Sequence, residues 1–163
     1  MKKVILGVLA VGLTVGVALQ PLNALDKTVD FSLNLGAMTN AGSCGTFSDV
    51  LFTFSPQIDV RIARNFMISA EAMIITDDGF HFDPFFLYPG ILLSYTTGRV
   101  SCGGGAVLPI AFWRGWGVET GDLVPKIAVD YRAGHLKFTT YILVDTQPLF
   151  SCNLIGLTLG YVF

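Results

Sequence analysis

The sequence predicts an all-β protein, a transmembrane antiparallel up-and-down β-barrel of eight strands. Three observations predict this fold. Hydrophobic residues make up 52% of the 163 residues and charged residues only 13%, which is more apolar than an ordinary soluble domain. Beyond residue 25 there is no run of about 20 apolar residues that would form a membrane-spanning helix. The remaining chain divides into segments of about ten residues with alternating apolar and polar side chains, the length that a tilted strand needs to cross a bilayer.

The first 24 residues have the organisation of a cleaved secretory signal peptide. Two lysines precede an apolar stretch at residues 4–19, and a polar segment follows around Pro21. Cleavage is expected after Ala24, which is well placed behind the proline, or after Ala18, which has the better small-residue pattern. The barrel is then expected to occupy residues 25–163. The alternative is that the apolar stretch stays uncleaved as a membrane anchor.

The first four predicted strands are residues 28–38, 50–63, 66–76 and 85–96. Each places larger apolar side chains on one face and small or polar side chains on the other, because successive side chains of a strand point to opposite faces. We expect the apolar face to be the outer, lipid-facing one. Its members are Val29, Phe31, Leu33 and Leu35; Phe52, Phe54, Ile58, Val60 and Ile62; Phe66, Ile68, Ala70, Ala72 and Ile74; and Leu87, Ile91, Leu93 and Tyr95.

The last four predicted strands are residues 99–113, 123–132, 136–145 and 152–163. The sixth and seventh alternate clearly, with Ile127, Val129, Phe138 and Ile142 on the outer face. The connections along the whole chain alternate between long and short, which is typical of barrels with long external loops and short periplasmic turns. An even number of strands lets the last pair antiparallel with the first, and both chain ends then lie on the periplasmic side.

Four prolines fall inside predicted strands, although a proline cannot donate a ladder hydrogen bond. They are Pro56, Pro89, Pro109 and Pro125, and we expect β-bulges or strand ends at these positions. A soluble β-sandwich is the alternative fold, since it also has alternating strands. A sandwich would not normally place its larger residues on the same alternating positions in so many strands.

The final strand carries the most specific pattern. Leu157, Leu159, Tyr161 and Phe163 share one face, and the chain stops on the phenylalanine. A soluble protein rarely ends on an exposed apolar strand, because a free edge promotes aggregation. This stretch resembles the terminal sorting strand of the outer-membrane β-barrels of double-membraned bacteria. As a pattern, the mature chain resembles the small eight-stranded barrels typified by outer-membrane proteins X and W and by the membrane domain of outer-membrane protein A.

The resemblance implies a bacterial outer-membrane location, with membrane lipid around the barrel. It also implies recognition by the barrel-assembly machinery through the C-terminal strand. No cofactor is implied. The formal net charge of −2 and the scattered basic residues argue against a nucleic-acid partner.

Charged residues on the inward phase gather in the periplasmic half of the predicted lumen. An eight-stranded barrel encloses little more than its own side chains, so these charges are expected to pair and form an ionic plug. The plug either only holds the barrel together or lines a proton or ion path. The predicted set is Asp30, Asp59, Arg61, Glu71, Arg99, Asp130, Arg132 and Lys137.

The inward phase of the other half is apolar. These side chains either simply fill the barrel or line a shallow apolar pocket that is open to the outside. The predicted set is Met73, Phe86, Tyr88, Val107, Trp113 and Leu143.

The three cysteines leave one without a partner in the chain. Cys44 lies in the first long loop and Cys152 at the start of the last strand. Because closure makes the first and last strands neighbours, these two either form a disulfide or remain free thiols. Cys102 is expected on the outward phase, as a small apolar residue.

The loop at residues 77–83 contains three aspartates and His81. It is either a solvated loop or a weak site for a divalent cation, and we predict no metal site. No catalytic motif surrounds His81, and His135 lies in a predicted periplasmic turn, so we predict that the protein is not an enzyme. An envelope enzyme that uses His81 is the remaining alternative.

The sequence therefore predicts a structural or surface-interaction barrel whose loops meet host, phage or envelope ligands. The alternative is a passive conduit for small hydrophobic molecules, as the resemblance to outer-membrane protein W suggests.

Overall fold

The computed structural model describes residues 29–41, 50–76, 85–113, 117–144 and 153–163. Within these ranges no helix is long and apolar enough to cross a membrane. The predicted signal peptide lies outside the described residues. The strands are β1 (Val29–Ala41), β2 (Val50–Ala63), β3 (Phe66–Thr76), β4 (Phe85–Thr97), β5 (Val100–Val107), β6 (Ile110–Trp113), β7 (Gly117–Thr120), β8 (Val124–Ala133), β9 (Leu136–Leu143) and β10 (Asn153–Val162).

The strands close into one antiparallel barrel. β1 pairs with β10 from Ser32 opposite Val162 to Ala41 opposite Asn153. β3 pairs with β4 on the far side, so the sheet closes on itself. The wall contains eight strand positions, because β5 and β6 occupy one position and β7 and β8 another. The predicted eight-stranded antiparallel barrel is confirmed. The periplasmic placement of the two chain ends stays a prediction.

The predicted fifth strand is interrupted beside two prolines, Pro109 in this strand and Pro89 one position diagonally across on β4. Gly90 pairs with Val107 and Leu87 pairs with Ile110, so no residue is gained or lost across the break. The backbone N–H of Leu108 still donates to the carbonyl of Pro89 at 2.8 Å. Because proline has no N–H, neither Pro89 nor Pro109 can donate a ladder bond here. β5 and β6 therefore form one strand with a local gap in its bonding.

Part of the predicted loop at residues 114–122 is a strand. Gly117–Thr120 forms β7 and pairs with β6, with Thr120 opposite Ile110. The N–H of Gly121 donates to the carbonyl of Pro109 at 2.9 Å. The segment from Thr120 to Val124 has one more residue than the segment from Val107 to Ile110 that it faces. This irregularity lets the short ribbon of β6 and β7 continue the wall. All four side chains of β7 are exposed, so no buried alternation marked this strand in the sequence.

The other prolines and boundaries differ in smaller ways from the prediction. Pro56 lies inside β2, and the β2–β3 register continues unchanged across it. The irregularity in this ladder falls instead between Arg61 and Ala63, beside the tight turn to β3. β1 extends to Ala41, because β10 provides hydrogen-bond partners to its end. β9 ends at Leu143, earlier than predicted.

The terminal strand shows the predicted alternation throughout. Every second residue of β10 from Leu154 to Val162 is buried, and the intervening residues are exposed. The sorting residues lie on the outer face, with exposed fractions of 61%, 49%, 49% and 66% for Leu157, Leu159, Tyr161 and Phe163. The N–H of Phe163 donates to the carbonyl of Phe31 at 2.9 Å, and their ring centroids are 5.6 Å apart. The chain end therefore closes against β1.

Inward glycines let neighbouring strands and side chains approach closely. A Cβ atom at Gly105 would overlap the backbone of Ile91, and one at Gly103 would overlap Ser94 and the backbone of Leu93. A Cβ atom at Gly156 would overlap the ring of Tyr141 on β9, which lies directly opposite. The buried tyrosine therefore occupies the space that the missing side chain leaves.

We expect Gly156→Ala to destabilise the barrel by about 1–3 kcal/mol, because the added methyl group must displace a buried ring. Gly104→Ala is the matched control. It lies on the exposed face, and its Cβ would come no closer than 3.7 Å to another heavy atom, the carbonyl oxygen of Lys126. Urea unfolding of both variants refolded in detergent micelles measures the effect. Equal free energies of unfolding for the two variants would contradict the interpretation.

Candidate functional site: the barrel lumen

The lumen contains two layers of different chemistry. One layer is an apolar cluster of fully buried side chains contributed by most of the strands around the wall. The partly buried Leu51 and Phe86 pack against it. The members of the apolar cluster are Met38, Met73, Ile75, Tyr88, Leu92, Val107, Val124, Ala128, Tyr141, Leu143 and Leu154. The second layer consists of charged and polar residues towards the end of the barrel that carries the tight turns.

A buried ion pair lies where the two layers meet. The Lys126 ammonium on β8 is 2.5 Å from the Glu71 carboxylate on β3, and the two side chains are 3% and 4% exposed. The same ammonium lies 4.3 Å from the centroid of the Tyr141 ring. The tyrosine ring thus belongs to the apolar cluster on one side and contacts a cation on the other. Such a contact is strongest where water is excluded.

A second group of ion pairs lies nearer the tight turns and joins strands across the lumen. Lys137 is 3.1 Å from Asp59 and 3.8 Å from Asp130. Arg132 is 2.5 Å from Asp30 and 3.4 Å from Asp59. The Lys137 and Asp59 side chains are each 1% exposed, whereas Arg132 and Asp30 are about one third exposed at 30% and 27%. This group therefore extends from the buried lumen to its mouth.

Neutral donors complete the bonding of the carboxylates. The Gln57 amide donates to Asp59 at 2.7 Å, and the Thr139 hydroxyl donates to Asp130 at 2.5 Å. On β1, the strand next to β2, the Asn34 amide donates to the backbone carbonyl of Ser55 at 2.9 Å. Buried charges are expensive unless they are paired and hydrogen-bonded, and these contacts meet that requirement.

The structure brings together six of the eight charged residues that the sequence analysis grouped. Asp30, Asp59, Glu71, Asp130, Arg132 and Lys137 all form ion pairs. Arg61 and Arg99 lie outside this network, and both are exposed. Arg61 sits beside the β2 irregularity, and Arg99 belongs to a turn rather than to a strand, so the wall encloses neither. The predicted set also omitted Lys126, although its inward phase between Pro125 and Ile127 was readable.

The residues of the predicted apolar pocket form two groups. Met73, Tyr88, Val107 and Leu143 are at most 1% exposed and pack in the apolar cluster, rather than around an opening. Phe86 is partly buried, and Trp113 on β6 is 40% exposed. Their rings meet edge to face with centroids 6.3 Å apart. The four buried residues fill the barrel. The Phe86 and Trp113 rings cover this apolar cluster near the β6–β7 ribbon.

The remaining candidates are placed as follows. Cys44, Cys152 and the loop with His81 lie outside the described residues. Cys102 is an exposed free thiol on β5. His135 is exposed in the β8–β9 turn, where it stacks on Tyr161 with centroids 5.5 Å apart. Its Nδ1 atom lies 2.8 Å from the carbonyl oxygen of Val162, so it contacts the terminal strand.

Comparisons with known proteins agree with this fold. No protein-family model and no curated protein matches the sequence. The crystal structure of Neisserial surface protein A is similar with a TM-score of 0.54 at 11% identity, over 85% of this chain and 98% of that chain. The de novo designed TMB2.3 is similar with a TM-score of 0.50 at 12% identity, over 86% and 97%. The chain thus has the fold of small outer-membrane β-barrels. Sequence identities this low show a shared fold and not a shared function.

We expect Glu71→Gln and Lys126→Met each to destabilise the barrel by about 3–5 kcal/mol, because either change leaves one buried charge without its partner. The double variant is expected to regain most of this loss, since no unpaired charge remains. Arg61→Gln is the control: it removes an exposed charge and should change the free energy of unfolding by about 0.5 kcal/mol or less. Additive losses in the double variant, measured by urea unfolding, would contradict the pairing.

Proposed function

We propose that this protein is an integral barrel of the bacterial outer membrane with a closed lumen. Its role is structural, or it binds partners at the end of the barrel that carries the β6–β7 ribbon. The observation that carries the proposal is the filled interior. An apolar cluster occupies one layer, and a network of ion pairs occupies the other. A steady water-filled path would require the apolar cluster to open.

The outer surface supports placement in a bilayer. Large apolar side chains are exposed around the wall, including Leu35 at 63%, Ile91 at 65% and Leu157 at 61%. Exposed apolar side chains in such number are unusual in a monomeric soluble protein, whereas lipid covers them in a membrane barrel. The closed wall also satisfies the backbone hydrogen bonds that lipid cannot. The fold shared with Neisserial surface protein A supports the same placement.

The alternative function, passage of small hydrophobic molecules, receives less support. The four innermost residues of the predicted pocket contact one another, so a ligand would have to displace them. The β6–β7 ribbon beyond this cluster exposes Trp113 and Val118. We therefore propose the exposed ribbon, rather than the lumen, as the partner-binding surface of a surface-interaction role.

Electrical conductance of the refolded protein in a planar bilayer tests the closed lumen. We expect the wild type to show no steady conductance, and Glu71→Gln to remain silent because the apolar cluster is intact. Removing two inward rings with Tyr88→Ala and Tyr141→Ala is expected to produce conductance. Tyr95→Ala with Tyr131→Ala, two exposed tyrosines, is the matched control. Steady conductance in the wild type would refute the proposal.

The terminal strand is proposed to be the segment that the barrel-assembly machinery recognises. We expect Phe163→Ala to reduce the amount of assembled, heat-modifiable protein in the outer membrane of expressing cells severalfold. Phe31→Ala removes the same ring contact from the other side and leaves the chain end unchanged. It therefore separates recognition from stability: an equal loss in both variants would show that only the contact matters.

A further inference from the structure

Exposed charges of opposite sign lie at opposite ends of the described barrel. Of the six basic residues that the structure describes, Lys126, Arg132 and Lys137 are paired in the lumen. The other three, Arg61, Arg64 and Arg99, are exposed at the end with the tight turns. The acidic residues described outside the lumen, Glu119 and Asp122, are exposed at the ribbon end.

Two of these arginines lie on neighbouring turns, and the first turn is bonded to the strand that leads into the second. Arg64 and Asn65 connect β2 to β3, and Gly98 and Arg99 connect β4 to β5. The N–H of Thr96 donates to the Asn65 carbonyl at 2.7 Å. Gly98 has φ 58°, the left-handed conformation that a tight turn of this kind requires. Since strands lie about 4.8 Å apart, the two turns are roughly 10 Å apart along the rim.

Aromatic side chains lie on the outer face beside the first of these turns. The Asn65 amide donates to the Tyr95 hydroxyl at 3.1 Å, and the Phe66 ring meets the Tyr95 ring edge to face at 5.5 Å. Both rings are about half exposed on the outer face, at 44% and 50%. Outward aromatic rings at a barrel end mark the level of the lipid headgroups. The arginines lie next to this level, where long side chains reach towards the interface.

The two guanidinium groups have no ion-pair partner in the parts of the chain that the structure describes, although every lumenal cation has one. A planar guanidinium group binds a phosphate oxygen pair with two parallel hydrogen bonds. The molecule as a whole has a net charge of −2, so attraction of anions at this rim is local. The spacing of the turns suits neighbouring headgroups in one leaflet.

We propose that Arg64 and Arg99 form a docking site for the phosphate groups of anionic phospholipids in the leaflet at the tight-turn end. The inference rests on the proposed placement of the barrel in a bilayer. It does not depend on whether the lumen conducts, so the conductance test and the lipid test fail independently. Arg61 is exposed at the same end and adds to the local positive potential.

Native mass spectrometry of the refolded protein in detergent, titrated with phosphatidylglycerol or phosphatidylcholine, tests the site. We expect the wild type to bind the first phosphatidylglycerol more tightly than phosphatidylcholine. Each arginine removed should weaken phosphatidylglycerol binding by about fivefold, as expected for one basic residue at an anionic surface. Arg64→Gln with Arg99→Gln should therefore remove most of the preference for phosphatidylglycerol. Glu119→Gln with Asp122→Asn is the control at the other end, with a charge change of the same size and opposite sign, and should leave the preference unchanged.

Salt dependence provides a second measurement that needs no variant. Because exposed charges are screened, raising the ionic strength tenfold should reduce the wild-type preference for phosphatidylglycerol and leave phosphatidylcholine binding unaltered. The proposal is overturned if the wild type binds both lipids equally, if the double arginine variant keeps the preference, or if the acidic control variant loses it.

Discussion

The pairing of β1 with β10 is the constraint on which the rest of the structure depends. In hydrocarbon, an unpaired N–H or carbonyl group has no water to bond with, so a sheet that crosses a bilayer must close on itself. The seam runs from Ser32 opposite Val162 to Ala41 opposite Asn153. The last residue adds one more bond, from Phe163 to Phe31. With the edge removed, each strand has only two environments, lipid outside and side chains inside, and the alternation along the chain follows from this.

Closure with eight strands also determines the chemistry of the interior. The lumen is narrow enough for side chains to fill it, and inward charges must find partners there. Apolar residues pack together in one layer, and charges pair in the other. Tyr141 and Lys126 connect the layers through the ring-to-ammonium contact. The polar layer and the apolar layer therefore depend on each other, and a change at this contact affects both.

The barrel and its outer face were readable from the sequence because alternation is a local signal. β10 alternates at each position, and so do most of β8 and β9. Ion-pair partners were not readable, because Lys126 and Glu71 come from strands that meet only across the lumen. The exposure of Arg61 and Arg99 depends on where the barrel wall ends. The alternation of apolar and polar residues does not reveal that position. β7 was missed because all of its residues are exposed.

The fit between Gly156 and Tyr141 has a consequence for the alignment of the last two strands. If β10 slid by one residue, a side chain of the lipid face would turn inward. If it slid by two, Leu154 or Thr158 would come to lie opposite the tyrosine, and its Cβ would take the space of the ring. Strand pairing alone does not distinguish such registers, since backbone bonds form equally well in each. The missing side chain at Gly156 therefore disfavours these neighbouring alignments, and it does so at the strand that completes the barrel.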